Sequence, residues 1–186
     1  PTSFFTSLSN KDQKDWNQEL LNRTTFAIDG TSVCLLDTGL NNQHQLLVNA
    51  TSEEHIQTVN SAWGVSDHQG HGTEMAGVAL YFDLKEQLLS GDPVVVTHEI
   101  ESVKILPPTG ENPVELYGDL TQQAINSAEI ANPNTHRVVC MAVSSPNHNT
   151  KDGSPTSWSG AIDNITSGAL EENVKRLVVI SAGNVY

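Results

Sequence analysis

Three residues of this chain, an aspartate, a histidine and an asparagine, stand where their side chains could share one reaction. Asp37 ends the apolar run Leu35-Leu36 and is followed by Thr38-Gly39. His71 lies in Asp67-His68-Gln69-Gly70-His71-Gly72-Thr73-Glu74-Met75-Ala76-Gly77, and Asn184 closes Val179-Ile180-Ser181-Ala182-Gly183-Asn184. A carboxylate at a strand end can accept the Nδ1–H of an imidazole and set its tautomer, leaving Nε2 to act as general base on a hydroxyl. A side-chain amide aimed into a cleft can stabilise an oxyanion as it forms. Carboxylate, imidazole and amide donor are three of the four parts needed for acyl transfer to a serine. Each has a plainer explanation alone: a turn cap for Asp37, a helix start for His71, a left-handed turn residue for Asn184. The three together argue against coincidence.

The elements that would position them alternate between strand and helix. Ser9 can cap a helix running to about Asn22, with Trp16, Leu20 and Leu21 on its apolar side. Ser32 to Leu36 reads as a short strand buried on both faces, and it delivers Asp37 to its carboxyl end, where open α/β sheets build their sites. Ile56 to Val59 is a short strand. His55, beside Glu53 and Glu54, reads as solvated and receives no role. From His71 a helix continues to about Leu84, Thr73 being placed to satisfy early helix N–H groups, and Lys85 to Asp92 reads as a polar exit. Val94 to Val96 reads as a run pairing at a sheet edge, His98 to Leu106 as a separate strand, and Asp119 to Ala131 as an amphipathic helix. Arg137 to Val143, a helix over about 159–173, and Arg176 to Ser181 complete the alternation. The expected fold is α/β, a mostly parallel sheet with helices on both faces. Residues 1–31 are expected to be an N-terminal helical extension and 32–186 the domain that carries the site.

Composition narrows the partners. A net charge of −13 over 186 residues argues against nucleic acid, whose phosphates would be repelled. No apolar run is long enough to cross a bilayer, so no membrane partner is expected. Cys34 and Cys140 both lie within apolar runs. Two buried thiols give no disulfide framework and favour a reducing compartment, the cytoplasm over secretion. The chain opens on Pro1 and stops at Tyr186, just after a strand-like run, and is expected to be a piece of a longer protein.

The ordered motifs Asp37-Thr38-Gly39, His71-Gly72-Thr73-Glu74-Met75-Ala76-Gly77 and Ala182-Gly183-Asn184 resemble those of subtilisin-like serine peptidases, the subtilases. The similarity covers most of Ser32 to Asn184, with Asp67 and Gly70 as further matches. It implies the N-terminal part of a subtilase catalytic domain that cleaves peptide bonds through an acyl-enzyme. Asp37 would orient the imidazole, His71 would be general base and then acid, and Asn184 would be the oxyanion donor. The family's nucleophile motif, Gly-Thr-Ser-x-Ala-x-Pro, is not found here, and Gly30-Thr31-Ser32 precedes Asp37 and reads as a strand start. The serine is expected in the rest of the parent chain, so this piece alone should be inert. Ala142-Val143-Ser144 stands where the family pairs a strand edge with substrate backbone, and the Ser144 side chain should narrow the adjoining pocket. Tyr81 to Ser90 lacks a cluster of oxygen ligands, so no calcium or other metal is expected, and no cofactor. Three rivals remain: a subtilase-like module that binds without catalysis, an aspartic peptidase reading Leu35-Leu36-Asp37-Thr38-Gly39 as its catalytic turn, and an unrelated doubly wound ligand-binding domain. The second needs two such turns in an all-β fold, and the third needs a Gly-rich phosphate loop.

Overall fold

The computed structural model describes residues 3–145, 153–169 and 174–183. At its centre is a strand that carries both the apolar run and Asp37: β1, Thr24–Asp37. The other strands are β2 (Thr51–Thr58), β3 (Val94–Lys104), β4 (His136–Met141) and β5 (Leu177–Ile180). All pair in parallel in the order β2-β3-β1-β4-β5. The helices are α1 (Ser3–Thr6), α2 (Asn10–Asn22), α3 (His71–Tyr81), α4 (Leu84–Ser90), α5 (Tyr117–Ala131) and α6 (Ser157–Ser167).

Strand alternation divides the apolar side chains between two cores. Leu35 joins Ile100 on one face, under Leu20 of α2, Ala76 and Leu80 of α3, and Leu88 of α4. Cys34 and Leu36 point the other way. There they join Val103, Val139 and Met141 beneath Ala124, Ile125 and Ala128 of α5 and Ile165 of α6. A parallel sheet needs both faces covered, and its inner strands therefore read as unbroken apolar runs.

Local chemistry sets the helix starts. Ser9 accepts the Asp12 N–H at 3.2 Å and caps α2. The helix expected to reach Leu84 ends at Tyr81. Phe82 then turns the chain at φ 58°, and Asp83 caps α4 by accepting the Glu86 N–H at 3.1 Å. The expected polar exit is thus a helix, with Leu88 in the core and Gly91 in the left-handed conformation at its end.

Two strand expectations are also revised. β1 begins at Thr24, not Ser32, because Thr24–Phe26 pairs with Val94–Val96 before the register shifts and resumes at Thr31 opposite His98. Asp29 holds that interruption by accepting from the N–H and hydroxyl of Thr31 at 3.1 and 2.6 Å. Val94–Val96 is therefore no edge segment: it is continuous with β3, which lies inside the sheet between β2 and β1.

Candidate active site

The register that pairs Asp37 with Lys104 puts both at the carboxyl end of the sheet. Asp37 is 1 % exposed. Its chain turns sharply there: Gly39 takes φ +110°, and a Cβ on it would lie 2.5 Å from the Val65 carbonyl oxygen. The loop after β2 closes over this turn, with Leu40 N–H donating to that carbonyl at 3.1 Å. α3 then starts directly against it, because Gly72 presents bare backbone. A Cβ at 72 would lie 2.2 Å from the Gly39 carbonyl oxygen and 3.3 Å from Asp37 Cβ.

That close seating brings His71, the first residue of α3, onto Asp37. Its Nδ1 lies 2.8 Å from Oδ1 and 2.9 Å from Oδ2. An ionised carboxylate only accepts, so Nδ1 carries the proton and, in the neutral ring, Nε2 is the free acceptor. Burial is uneven across the pair: Asp37 is buried, whereas the His71 side chain is 43 % exposed. Asp37 Oδ1 also accepts the Thr38 N–H at 2.7 Å.

A second carboxylate, Asp67, stands behind the pair. It accepts from Thr38 Oγ1 (2.8 Å), Gln69 N–H (3.0 Å), Gly70 N–H (2.8 Å), Thr73 N–H (2.8 Å) and Thr73 Oγ1 (2.7 Å). Burial opposes its ionisation, but the bonds from Thr73, Thr38 and Gln69 outweigh that and hold its pKa below the ordinary aspartate range. The first turn of α3 is therefore capped by Asp67, while the Thr73 hydroxyl, expected to cap it, serves Asp67 and accepts the Asn41 N–H at 3.2 Å. Lys104 closes the network from below, donating from Nζ to Ser66 O at 2.7 Å and Trp63 O at 3.3 Å. Burial lowers its pKa and the charge of Asp67 opposes the shift.

Ala142, Val143 and Ser144 directly follow β4. Val143 and Ser144 line a cavity of about 190 Å³ whose walls include Leu106, Tyr117, Leu120 and Trp158. Trp158 is held edge-on to Tyr117, ring centroids 5.0 Å apart, and its Nε1–H donates to Thr121 at 3.0 Å. Asn184 lies outside the described residues. Its neighbour Gly183 is described, and a Cβ there would sit 3.7 Å from Ser144 Cβ.

Sequence reasoning passed over Thr38, Lys104 and His55. The signal for Lys104 was a lone ammonium inside an apolar run, which burial tolerates only with partners. His55 is not solvated: its side chain is 14 % exposed and Nδ1 lies 3.2 Å from Glu99 Oε2. With Glu99 and Glu101 it forms a group of potential metal ligands. The two Glu101 oxygens already receive the Arg137 guanidinium, and Asn132 Nδ2 donates to Glu99 at 2.6 Å and Glu101 at 2.8 Å. Those donors already occupy the two carboxylates, and the group closes as a hydrogen-bonded network across the sheet.

Compared with known proteins, residues 29–186 match the family model described as Subtilase family. No curated protein matches the chain.

Proposed function

Since this chain belongs to the subtilase family of serine peptidases, we propose that it supplies the carboxylate and imidazole of a site that cleaves peptide bonds through an acyl-enzyme. The observation that carries the proposal is the Asp37–His71 contact, made by a buried carboxylate on Nδ1 of a ring that is itself 43 % exposed. His71 Nε2 removes the proton from a serine hydroxyl of the parent chain, outside these 186 residues, as its oxygen attacks the substrate carbonyl. Asp37 stabilises the imidazolium that forms, and the imidazolium then gives its proton to the leaving amine. Asn184 donates to the oxyanion. Water hydrolyses the acyl-enzyme by the same proton route in reverse.

The substrate is a peptide or protein segment lying extended along Ala142-Val143-Ser144 and pairing through its backbone. The neighbouring cavity, walled by Leu106, Leu120, Val143 and Trp158, suits an apolar side chain of that segment.

A serine-directed phosphonate tests the proposal. The full-length parent should be labelled, and the His71→Ala parent should not. In subtilisin itself, loss of the triad histidine costs on the order of 10⁶ in kcat, and a defect of that order is expected. The 186-residue chain alone should stay unlabelled. Undiminished labelling of His71→Ala would defeat the role given to His71. A parent that binds peptide yet is never labelled would be a binding module instead.

A further inference from the structure

The Asp37–His71 contact joins a residue at the end of β1 to one at the start of α3, and no covalent neighbour fixes that distance. We propose that Asp67 is the positioning residue for this pair, acting as the anionic hub to which both segments are tethered; the claim rests on the peptidase reading only for its effect on catalysis.

The geometry is specific. One oxygen of Asp67 takes the Thr38 hydroxyl, from the residue that follows Asp37, together with the Gly70 and Gln69 N–H groups. The other oxygen takes the N–H and hydroxyl of Thr73 in the first turn of α3. The Thr38 hydroxyl in turn accepts the Gly72 N–H at 3.1 Å. Both neighbours of His71 are therefore bound to the hub, Gly70 directly and Gly72 through Thr38. The residue next to Asp37 is bound to it as well.

Five donors converge on this side chain, so it must be acceptor-only. An asparagine there would turn an NH₂ toward N–H and O–H groups on one side. Gly72 seats α3 on the Gly39 carbonyl with no spare volume, so an opening of the hub would be passed on as displacement of the imidazole. Lys104 steadies the loop that leads into the hub, its ammonium donating to the Trp63 and Ser66 carbonyls.

The test reads His71 directly in the 186-residue chain, by NMR with ¹⁵N-labelled histidine. An Nδ1–H bound to a buried carboxylate gives a far-downfield proton signal. Asp67→Asn should shift that signal upfield or lose it, and Thr38→Val, which breaks the link from the other end, should do the same. Leu88→Ala, in the core beneath α4, should lower stability and leave the signal in place, which separates positioning from general loosening. If Asp67→Asn does not fold, Thr38→Val decides. An unchanged signal in folded Asp67→Asn or Thr38→Val overturns the proposal. In the full-length parent, Asp67→Asn should lower kcat by about 10²-fold with KM little changed. Failure of the parent to react with the serine-directed phosphonate, alongside loss of the signal in both variants, would sink the peptidase reading and leave the positioning role standing.

Discussion

Gly72 shows how little room the site leaves at the level of single atoms. Replacing it with alanine improves helix propensity by about 1 kcal/mol, but the new methyl would meet backbone at 2.2 Å, and backbone at a closed turn cannot swing aside. Overpacking of this kind costs about 1–3 kcal/mol. Gly72→Ala should therefore lower the urea midpoint in spite of its propensity and disturb the His71 Nδ1–H signal. Asp67 makes a prediction about acid. Its folded pKa lies below the unfolded value of about 3.9. Its contribution to stability is then complete above that value and is lost as pH falls through the lower, folded one. On acidification below about pH 4 the chain should lose stability more steeply than Asp67→Asn, as followed by urea unfolding at each pH.

Between elements, the polar belt on the α5 face of the sheet matters most. Glu101 is 1 % exposed and Arg137 only 9 %. The pair joins β3 to β4 across β1, and Arg137 Nη2 also holds the Ala128 and Asn132 carbonyls at the end of α5. Removing one partner strands a buried charge, which costs about 3–5 kcal/mol, whereas replacing both with apolar groups is often neutral. Arg137→Met should show that loss in chemical denaturation, and adding Glu101→Met should restore much of it. The same strand alternation separates the thiols. Burial raises the pKa of Cys34, aided by Glu101, and raises that of the half-buried Cys140 as well. A thiol reagent at neutral pH should modify Cys140 slowly and reach Cys34 only after unfolding, as peptide mapping would show. Some of this level was readable in sequence: the Ser9 cap and the apolar runs of β1 and β4 announce themselves locally. The whole of β1 was not, and the strand was expected to begin only at Ser32. Only pairing with Val94–Val96 shows that the chain re-enters the sheet there.

Taken whole, the molecule covers its sheet unevenly. On the α5 side the described strands lie under two helices. On the other side Leu177 and Val179 of β5 are 61 % and 51 % exposed although they stand in a sheet with Val138 and Cys140. Apolar side chains left open beside one another bind dyes and promote association. The 186-residue chain should bind an apolar fluorescent dye while folded, and a Leu177→Lys/Val179→Lys double variant should bind less without losing stability. An unchanged dye signal would mean that this face is not open in solution.

The order of the motifs and the kinds of residue they hold could be read from the chain alone, and so could the alternation that makes an α/β sheet. Those properties depend on neighbours a few positions apart, where periodicity and capping act. That Asp37 and His71 touch was an expectation until the strand order placed β1 at the centre and Gly72 let α3 settle on its end. Asp67, Thr38 and Lys104 found their partners in the same way, because hydrogen bonds among residues some thirty to forty positions apart follow from packing. Local sequence can name a donor or an acceptor, but its partner is chosen by which backbone segments can approach closely enough to exclude water between them.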